Sequence, residues 1–226
     1  MKKHFILLAL FATSVSFAQD REKGTIEIAP TVGISVAQYL GVNSYYNADP
    51  LYSSTVGVNF DVYLSNVWSL RSGLHYQIMG GEEYNYNYST PNFTSSWSTQ
   101  RLDYLTLPIH GNLHFGSKRN WNLNFGPTIG FLLRAEYESN NYVMDNSEHF
   151  KRAQLGLGVG MGHNFKIKEN MGIGLQLNQT IGLTNIDNNR FYVSNFYNDN
   201  NYYTQNYYIT LGVSFIFTSS SVSKEE

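Results

Sequence analysis

The sequence predicts an all-β fold, an eight-stranded antiparallel up-and-down transmembrane β-barrel. Three observations lead to it. Bulky apolar residues alternate with small or amide residues in eight separate stretches, the two-residue period of strands. The connections between those stretches are short and long by turns. The bulky set is also too large for the inside of an eight-stranded barrel, which is only just wide enough for side chains to fill, so it faces outward.

The strands follow in order. The first places Ile26, Ile28, Pro30, Val32, Ile34 and Val36 on one face, and the second Val56, Val58, Phe60, Val62 and Leu64. The third carries Trp68, Leu70, Leu74, Tyr76 and Ile78; the fourth, Leu105, Leu107, Ile109, Leu113 and Phe115. Trp121, Leu123, Phe125, Ile129, Phe131 and Leu133 mark the fifth, and Leu155, Leu157, Val159, Met161 and Phe165 the sixth. The seventh sets Met171, Ile173, Leu175, Leu177, Ile181 and Leu183 against glycines and amides. The eighth alternates Tyr207, Ile209, Leu211, Val213, Phe215 and Phe217 with Tyr208, Thr210, Gly212, Ser214 and Ile216. Pro30, Pro108 and Pro127 lack the N–H a ladder uses, and are read as local bulges or kinks rather than strand ends.

Residues 65–67, 116–120 and 166–170 are short polar connections, whereas 40–52, 80–100, 138–149 and 185–205 are long and rich in Asn, Tyr and Ser. An even strand count with short turns at one end is the outer-membrane pattern, turns and both termini toward the periplasm. One domain over 19–226 suffices, with the barrel at about 24–217 and a polar tail at 218–226. Met1-Lys2-Lys3, a short apolar run and the small residues before Gln19 predict a secretory signal over 1–18, cleaved near Ala18–Gln19. That run is too short to span as a helix.

Composition agrees. Hydrophobic residues make up 42% and charged residues 14%, yet no long apolar run follows the signal, as when every second residue is diluted by a lumen-facing one. There is no cysteine, hence neither a lipoprotein anchor nor a disulfide framework. The formal charge is −2, and losing Lys2 and Lys3 takes it to −4, which argues against nucleic acid as a partner.

The set alternating with the bulky residues is mostly Gly, Asn, Thr, Ser and Gln, which fit the interior. A soluble barrel would carry Lys and Glu on its outer faces, and these strands have almost none. Trp68, Phe115, Trp121, Phe165 and Phe217 fall at the turn ends of their strands, as a periplasmic aromatic girdle requires. Tyr39, Tyr137 and Tyr207 are expected in the opposite ring.

Four strand motifs carry a resemblance. Leu105-Thr106-Leu107-Pro108-Ile109 resembles the L-x-I/L-P-L strand of the porin-family outer-membrane β-barrels, the PorT-like, OmpA-type proteins. Asn124-Phe125-Gly126-Pro127 is similar to that family's N-x-G-P strand, Leu155 to Gly160 to its G-L-x-x-G-x-G strand, and Leu183-Thr184-Asn185-Ile186 to its L-T-N-I exit. The resemblance implies a Gram-negative outer-membrane barrel, with a secretion role for some members and no catalytic residues to carry over. One departure is that nine residues follow Phe217, where such barrels often end on the terminal aromatic.

Charges on inward positions must be paired. The 65–67 turn, with Leu64 opposite Trp68, sets Asp61 opposite Arg71, and Glu27 lies at similar depth; these three are expected to form a lumen ion-pair cluster at the periplasmic end. Arg134, Glu136 and Arg152 are expected to form a second one near the loops. Either cluster reads as a gate across a pore or as a plug, and the plug is preferred because small barrels fill their interiors. His110 and His114 are about 13 Å apart along a strand, too far to share an ion, so the histidines read as polar filler. Asp145, Ser147 and His149 raise a hydrolase reading, but a triad is defined by geometry. Tyr84, Tyr86, Tyr88, Phe93 and Trp97, then Phe191, Tyr192, Phe196, Tyr197, Tyr202 and Tyr203, form adaptable contact surfaces or strand extensions.

The expected role is structural or surface-interaction, with a largely plugged lumen; the alternatives are a narrow passive pore for small solutes and a secretion accessory. No catalytic, metal or cofactor site is expected. The expected partners are outer-membrane lipid, the barrel-assembly machinery during biogenesis, and a ligand or protein at the extracellular loops, around a monomer.

Overall fold

Every strand alternates, and the alternation sorts side chains between two surfaces. The computed structural model of the chain describes residues 23–42, 48–87, 94–140, 142–188 and 203–219. The signal over 1–18, the tail beyond 219 and the aromatic positions Tyr88, Phe93, Phe191, Tyr192, Phe196, Tyr197 and Tyr202 lie outside them, as do the side chains of Tyr84 and Tyr86.

The strands are β1 (Ile26–Val42), β2 (Asp49–Tyr63), β3 (Trp68–Asn87), β4 (Thr94–Phe115), β5 (Trp121–Ser139), β6 (Tyr142–Asp145), β7 (Ala153–Lys168), β8 (Met171–Gly182) and β9 (Tyr203–Thr218). All pairings are antiparallel, in the order β4-β3-β2-β1-β9-β8-β7-β5, and a β4–β5 ladder closes the ring. Eight strands therefore make the barrel, as the alternation predicts. The short β6 pairs only with the upper end of β5 and stands outside the ring. Among the described residues no helix is long and apolar enough to cross a membrane; the crossing elements are strands.

The outer face is apolar. Ile34 is 67% exposed and Phe215 56%, alongside Val32, Phe125, Leu133, Leu157 and Leu177, all on outward positions. Inward positions such as Ser69, Asn112, Asn122 and Asn124 are buried. The lumen is narrow enough that a Cβ at Gly160 would collide with the Asn178 side chain, so a small residue belongs there.

Three differences from the sequence reading have physical causes. First, the strands run straight through Pro30, Pro108 and Pro127 without a change of register: Ile28 pairs with Phe217 and the ladder resumes at Thr31 with Ser214. The register shifts fall instead at Pro50/Thr55, Asp103/Tyr104 and Lys166/Lys168. Second, much of 80–100 is strand, because β3 and β4 continue past the apolar stretch as a projecting hairpin.

Third, β5 holds a bulge. Tyr104 pairs with Leu132 and Asp103 with Arg134, leaving Leu133 as an extra residue. Below the bulge the even-numbered residues of β5 face the lumen; above it the odd-numbered ones do, beginning with buried Ala135. Arg134 and Glu136, expected in the lumen, therefore stand on the outer face. Arg152 precedes β7 with its side chain exposed, so it does not complete a lumen cluster either. Tyr39 is likewise not part of an upper ring. It is buried on the lumen side with Ala37, whereas exposed Tyr52, Trp97 and Tyr203 occupy outward positions near the loop end.

Candidate functional site

Among the described residues the inward side chains meet in the lumen, and they stack there in three layers. The lowest lies beside the short turns. The 65–67 turn is closed by Leu64 N–H donating to Trp68 O at 2.9 Å, and Ser65 Oγ accepts from Trp68 N–H at 3.0 Å. The ladder above it sets Asp61 opposite Arg71 on the lumen side. Arg71 Nη2 is 2.9 Å from Asp61 Oδ2, and Arg71 Nε donates to both carboxylate oxygens, at 3.0 and 3.2 Å. Ser69 Oγ and Asn112 Nδ2 each donate to Asp61 Oδ1 at 2.8 Å. A carboxylate this buried is tolerable only with such a full set of donors.

Arg71 also spans the lumen. Its Nη1 donates to Gln176 Oε1 at 3.0 Å, linking β3 to β8 on the far wall. Glu27 pairs in register with Asp61 and accepts from the Tyr63 hydroxyl at 3.0 Å and from Thr218 Oγ1 at 3.4 Å. The Tyr63 ring packs 4.8 Å from His114, whose Nε2 meets Ser69 Oγ at 2.9 Å. Tyr63, Ser69, Asn112 and Gln176 thus join the three charged residues, and their inward parity is the only sign of this in the sequence.

The middle layer is polar and loosely filled. Ser214, Thr31, Asn59 and His75 form a hydrogen-bonded chain across four strands, at 2.7, 3.0 and 2.9 Å. His110 binds Asn124 Oδ1 at 2.9 Å and Thr128 Oγ1 at 3.2 Å. Thr31, Asn59, His75, His110, Asn124 and Thr128 line a cavity of about 80 Å³, room for about five waters. Each histidine here is engaged with an amide or hydroxyl, and among the described residues no three His, Asp or Glu are grouped to hold a metal ion.

The top layer is mostly apolar, with buried Gln154 and Asn206 bonded to each other and Gln154 to Met79 within it. Tyr39, Met79, Leu102, Tyr104, Leu132 and Tyr208 point inward from the strands, and Phe150 and Ile186 drop into the mouth from the connections above. Backbone and amide contacts hold the two intruders. Lys151 N–H donates to Ile186 O at 2.7 Å, Ile186 N–H to Thr204 O at 2.9 Å, and Phe150 pairs with Asp187 in an isolated bridge. Gln100 and Asn146 exchange reciprocal side-chain amide bonds at 3.1 and 2.6 Å. Burial on the mouth pushes the Asp187 carboxyl above the usual carboxylate range, against the pull of Thr204 and Lys151. Nothing in the sequence reading marked Phe150 and Ile186 as buried at the mouth.

The remaining predicted residues are placed as follows. Trp68, Trp121, Phe165 and Phe217 are exposed on outward positions at the turn ends, and half-buried Phe115 pairs with Trp121. Ser147 Oγ accepts from Ala135 N–H at 2.9 Å, Asp145 Oδ1 accepts from Ser147 N–H at 2.8 Å, and His149 lies 3.9 Å from Glu148. Asp145, Ser147 and His149 thus each face a partner outside a nucleophile–base–orienter chain. The bonds from Ser147 hold the Asp145 carboxyl below its ordinary range.

Comparison with known proteins adds the family. A search of curated proteins finds no match. Among solved structures, Ail, the attachment invasion locus protein of Yersinia pestis, is 11% identical with a TM-score of 0.42, covering 86% of this chain and 99% of that one. Neisserial surface protein A is 10% identical with a TM-score of 0.47, covering 84% and 97%. OprG from Pseudomonas aeruginosa is 11% identical with a TM-score of 0.44, covering 87% and 97%. The family described as outer membrane protein beta-barrel domain matches residues 17–188, most of the chain. With a closed eight-stranded ring and an apolar outer wall already established, that match makes the chain a member of this family, a β-barrel protein of the bacterial outer membrane.

Proposed function

We propose that this barrel is a sealed, non-enzymatic scaffold that presents its long connections outside the cell, with its short turns and both termini in the periplasm. What supports the reading is a pair of obstructions in the lumen. Arg71 bridges the lower end to Gln176, and Phe150 and Ile186 stopper the upper one. A conduit would need a continuous open path, and here a layer of buried side chains covers the polar one. Among the described residues, the surfaces left to interact are the projecting β3–β4 hairpin and the β5–β6 hairpin, whose Tyr142, Val143 and Met144 are exposed. The strand motifs fit the PorT-like branch of the family, from which an accessory role in secretion would follow.

Bilayer recordings on purified protein test the closure: no steady conductance is expected. Replacing residues 82–98 with a tight turn tests the surface role. The variant is expected to keep heat-dependent gel mobility and to lose adhesion or partner pull-down. A second reading, a narrow passive pore, draws on the polar middle cavity, and steady unitary steps from the unmodified protein would favour it.

A further inference from the structure

We propose that the outer face of β4 and β5 carries a seat for the phosphate of a lipid headgroup, built by Arg101 and Arg134, and that its occupant is a phosphorylated glucosamine lipid (lipid A) of the outer leaflet. The outer-leaflet part rests on the orientation proposed above. The seat exists because of the Leu133 bulge. By turning the face of β5 at that point, the extra residue moves Arg134 and Glu136 out of the lumen and onto the wall, opposite Asp103 and Arg101.

The arrangement is built rather than scattered. Asp103 lies under the two guanidiniums, its side chain only 3% exposed, while those of Arg101 and Arg134 are 40% and 48% exposed. Arg101 Nε is 2.8 Å from Asp103 Oδ1, and Arg134 Nη2 is 2.8 Å from Oδ2. Arg134 Nη1 reaches Glu136 at 3.0 Å, and Arg101 Nη2 donates to the Tyr76 hydroxyl at 3.4 Å. A guanidinium has five N–H donors, so both forks keep donors beyond those bonds. The buried carboxylate holds the forks against the wall, and the remaining N–H groups suit a tetrahedral oxyanion, which arginine binds by two parallel bonds.

Depth and surroundings select the ligand. Arg134 is thirteen residues along β5 from Trp121. At about 3.3 Å per residue and the usual strand tilt, that is about 30 Å along the barrel axis, just above an apolar belt about 25 Å tall. Below the patch, outward Leu105, Phe131 and Leu133 offer a bed for acyl chains, and no charged residue interrupts the outward positions of β3, β4 and β5 down to the turns. The bonds to Asp103 satisfy a buried carboxylate, and the faces of the two guanidiniums turned away from it stay open to an outside acceptor. A headgroup phosphate with its chains lying on the belt satisfies both halves of the surface.

The test titrates the full-length mature protein, in neutral detergent micelles, with lipid A, dephosphorylated lipid A and inorganic phosphate, read by native mass spectrometry. Lipid A is expected to bind, and the dephosphorylated form to bind weaker by on the order of tenfold or more. Arg101→Gln with Arg134→Gln, checked for folding by heat-dependent mobility, is expected to lose affinity by a similar factor. Should that pair fail to fold, Arg134→Lys keeps the charge, loses the fork and is expected to weaken binding part-way. Equal binding of both lipid forms, unchanged binding in a folded variant, or inorganic phosphate displacing lipid A at equal concentration would overturn the proposal. Micelle binding does not depend on orientation, which is read separately by labelling Tyr142→Cys on intact cells. Labelling is expected; an unlabelled residue would overturn the outer-leaflet source while leaving the phosphate seat measurable in micelles.

Discussion

Substituting Asp61 by alanine removes the carboxylate that organises the lower lumen. Arg71 Nε and Nη2 lose their acceptor, and Ser69 Oγ and Asn112 Nδ2 each lose a bond of 2.8 Å. The Arg71 side chain is only 11% exposed, so water cannot freely replace the lost partner. Breaking a buried pair from one side costs about 3–5 kcal/mol, because a charge is stranded. Removing Arg71 as well lifts that penalty, so Asp61→Ala with Arg71→Ala is expected to be less destabilised than the sum of the single variants, by about 1–3 kcal/mol. Tryptophan fluorescence during urea unfolding of liposome-inserted protein measures all three. Strictly additive losses would show that the two side chains do not act as a pair, and would refute the reasoning.

Other consequences follow from the wall, the stopper and the mouth. Gly33→Ala would put a Cβ 2.6 Å from Leu211 O and 3.1 Å from Gly212 Cα, both backbone atoms of β9, so a loss of about 1–3 kcal/mol is expected in the same unfolding assay. Phe150→Ala and Ile186→Ala combined with Arg71→Ala remove the side chains of both closures, and solute-uptake assays on liposomes are expected to report a leak that the parent and the Phe150→Ala, Ile186→Ala pair lack. Asp187 titrates above its unfolded value, so the folded mouth holds its proton more tightly than the unfolded chain does. That contribution is present at acid pH and is lost as pH rises through the folded value. The protection of the Ile186 amide, its exchange rate corrected for the intrinsic rise with pH, is therefore expected to fall from acid to neutral pH, and Asp187→Asn to suppress that fall.

The ring itself was legible because lipid and a narrow lumen impose opposite demands on neighbouring residues. From Met171 to Leu177 every second residue is bulky and apolar, and Ile181 resumes the period after Gln179. The β2–β3 register is visible too, since a three-residue turn bonded from Leu64 to Trp68 leaves one way to pair Asp61. Legibility failed where those demands end. Above the belt the outer face need not be apolar, so Tyr39, Met79 and Leu102 carry no mark of facing inward. The Leu132-Leu133 doublet does mark the bulge, since two adjacent bulky residues break the period, but uninterrupted alternation carried Arg134 and Glu136 to the wrong side. Phe150 and Ile186 lie in aperiodic connections, and their insertion depends on contacts between segments far apart in the chain.

The claim beneath all of this is that the bulky alternate face touches hydrocarbon while the small and amide face lines a closed interior. The chain lacks cysteine, so single cysteines can be placed at will. Nitroxide labels at Ile34, Phe125, Leu177 and Phe215, and at Thr31, Asn124 and Gln176, would be compared in liposomes for collision with oxygen and with a water-soluble relaxant. The first set is predicted to meet oxygen dissolved in lipid and to be shielded from the aqueous agent, and the second to be shielded from both. Aqueous collision at the first set, or lipid contact at the second, would contradict the account.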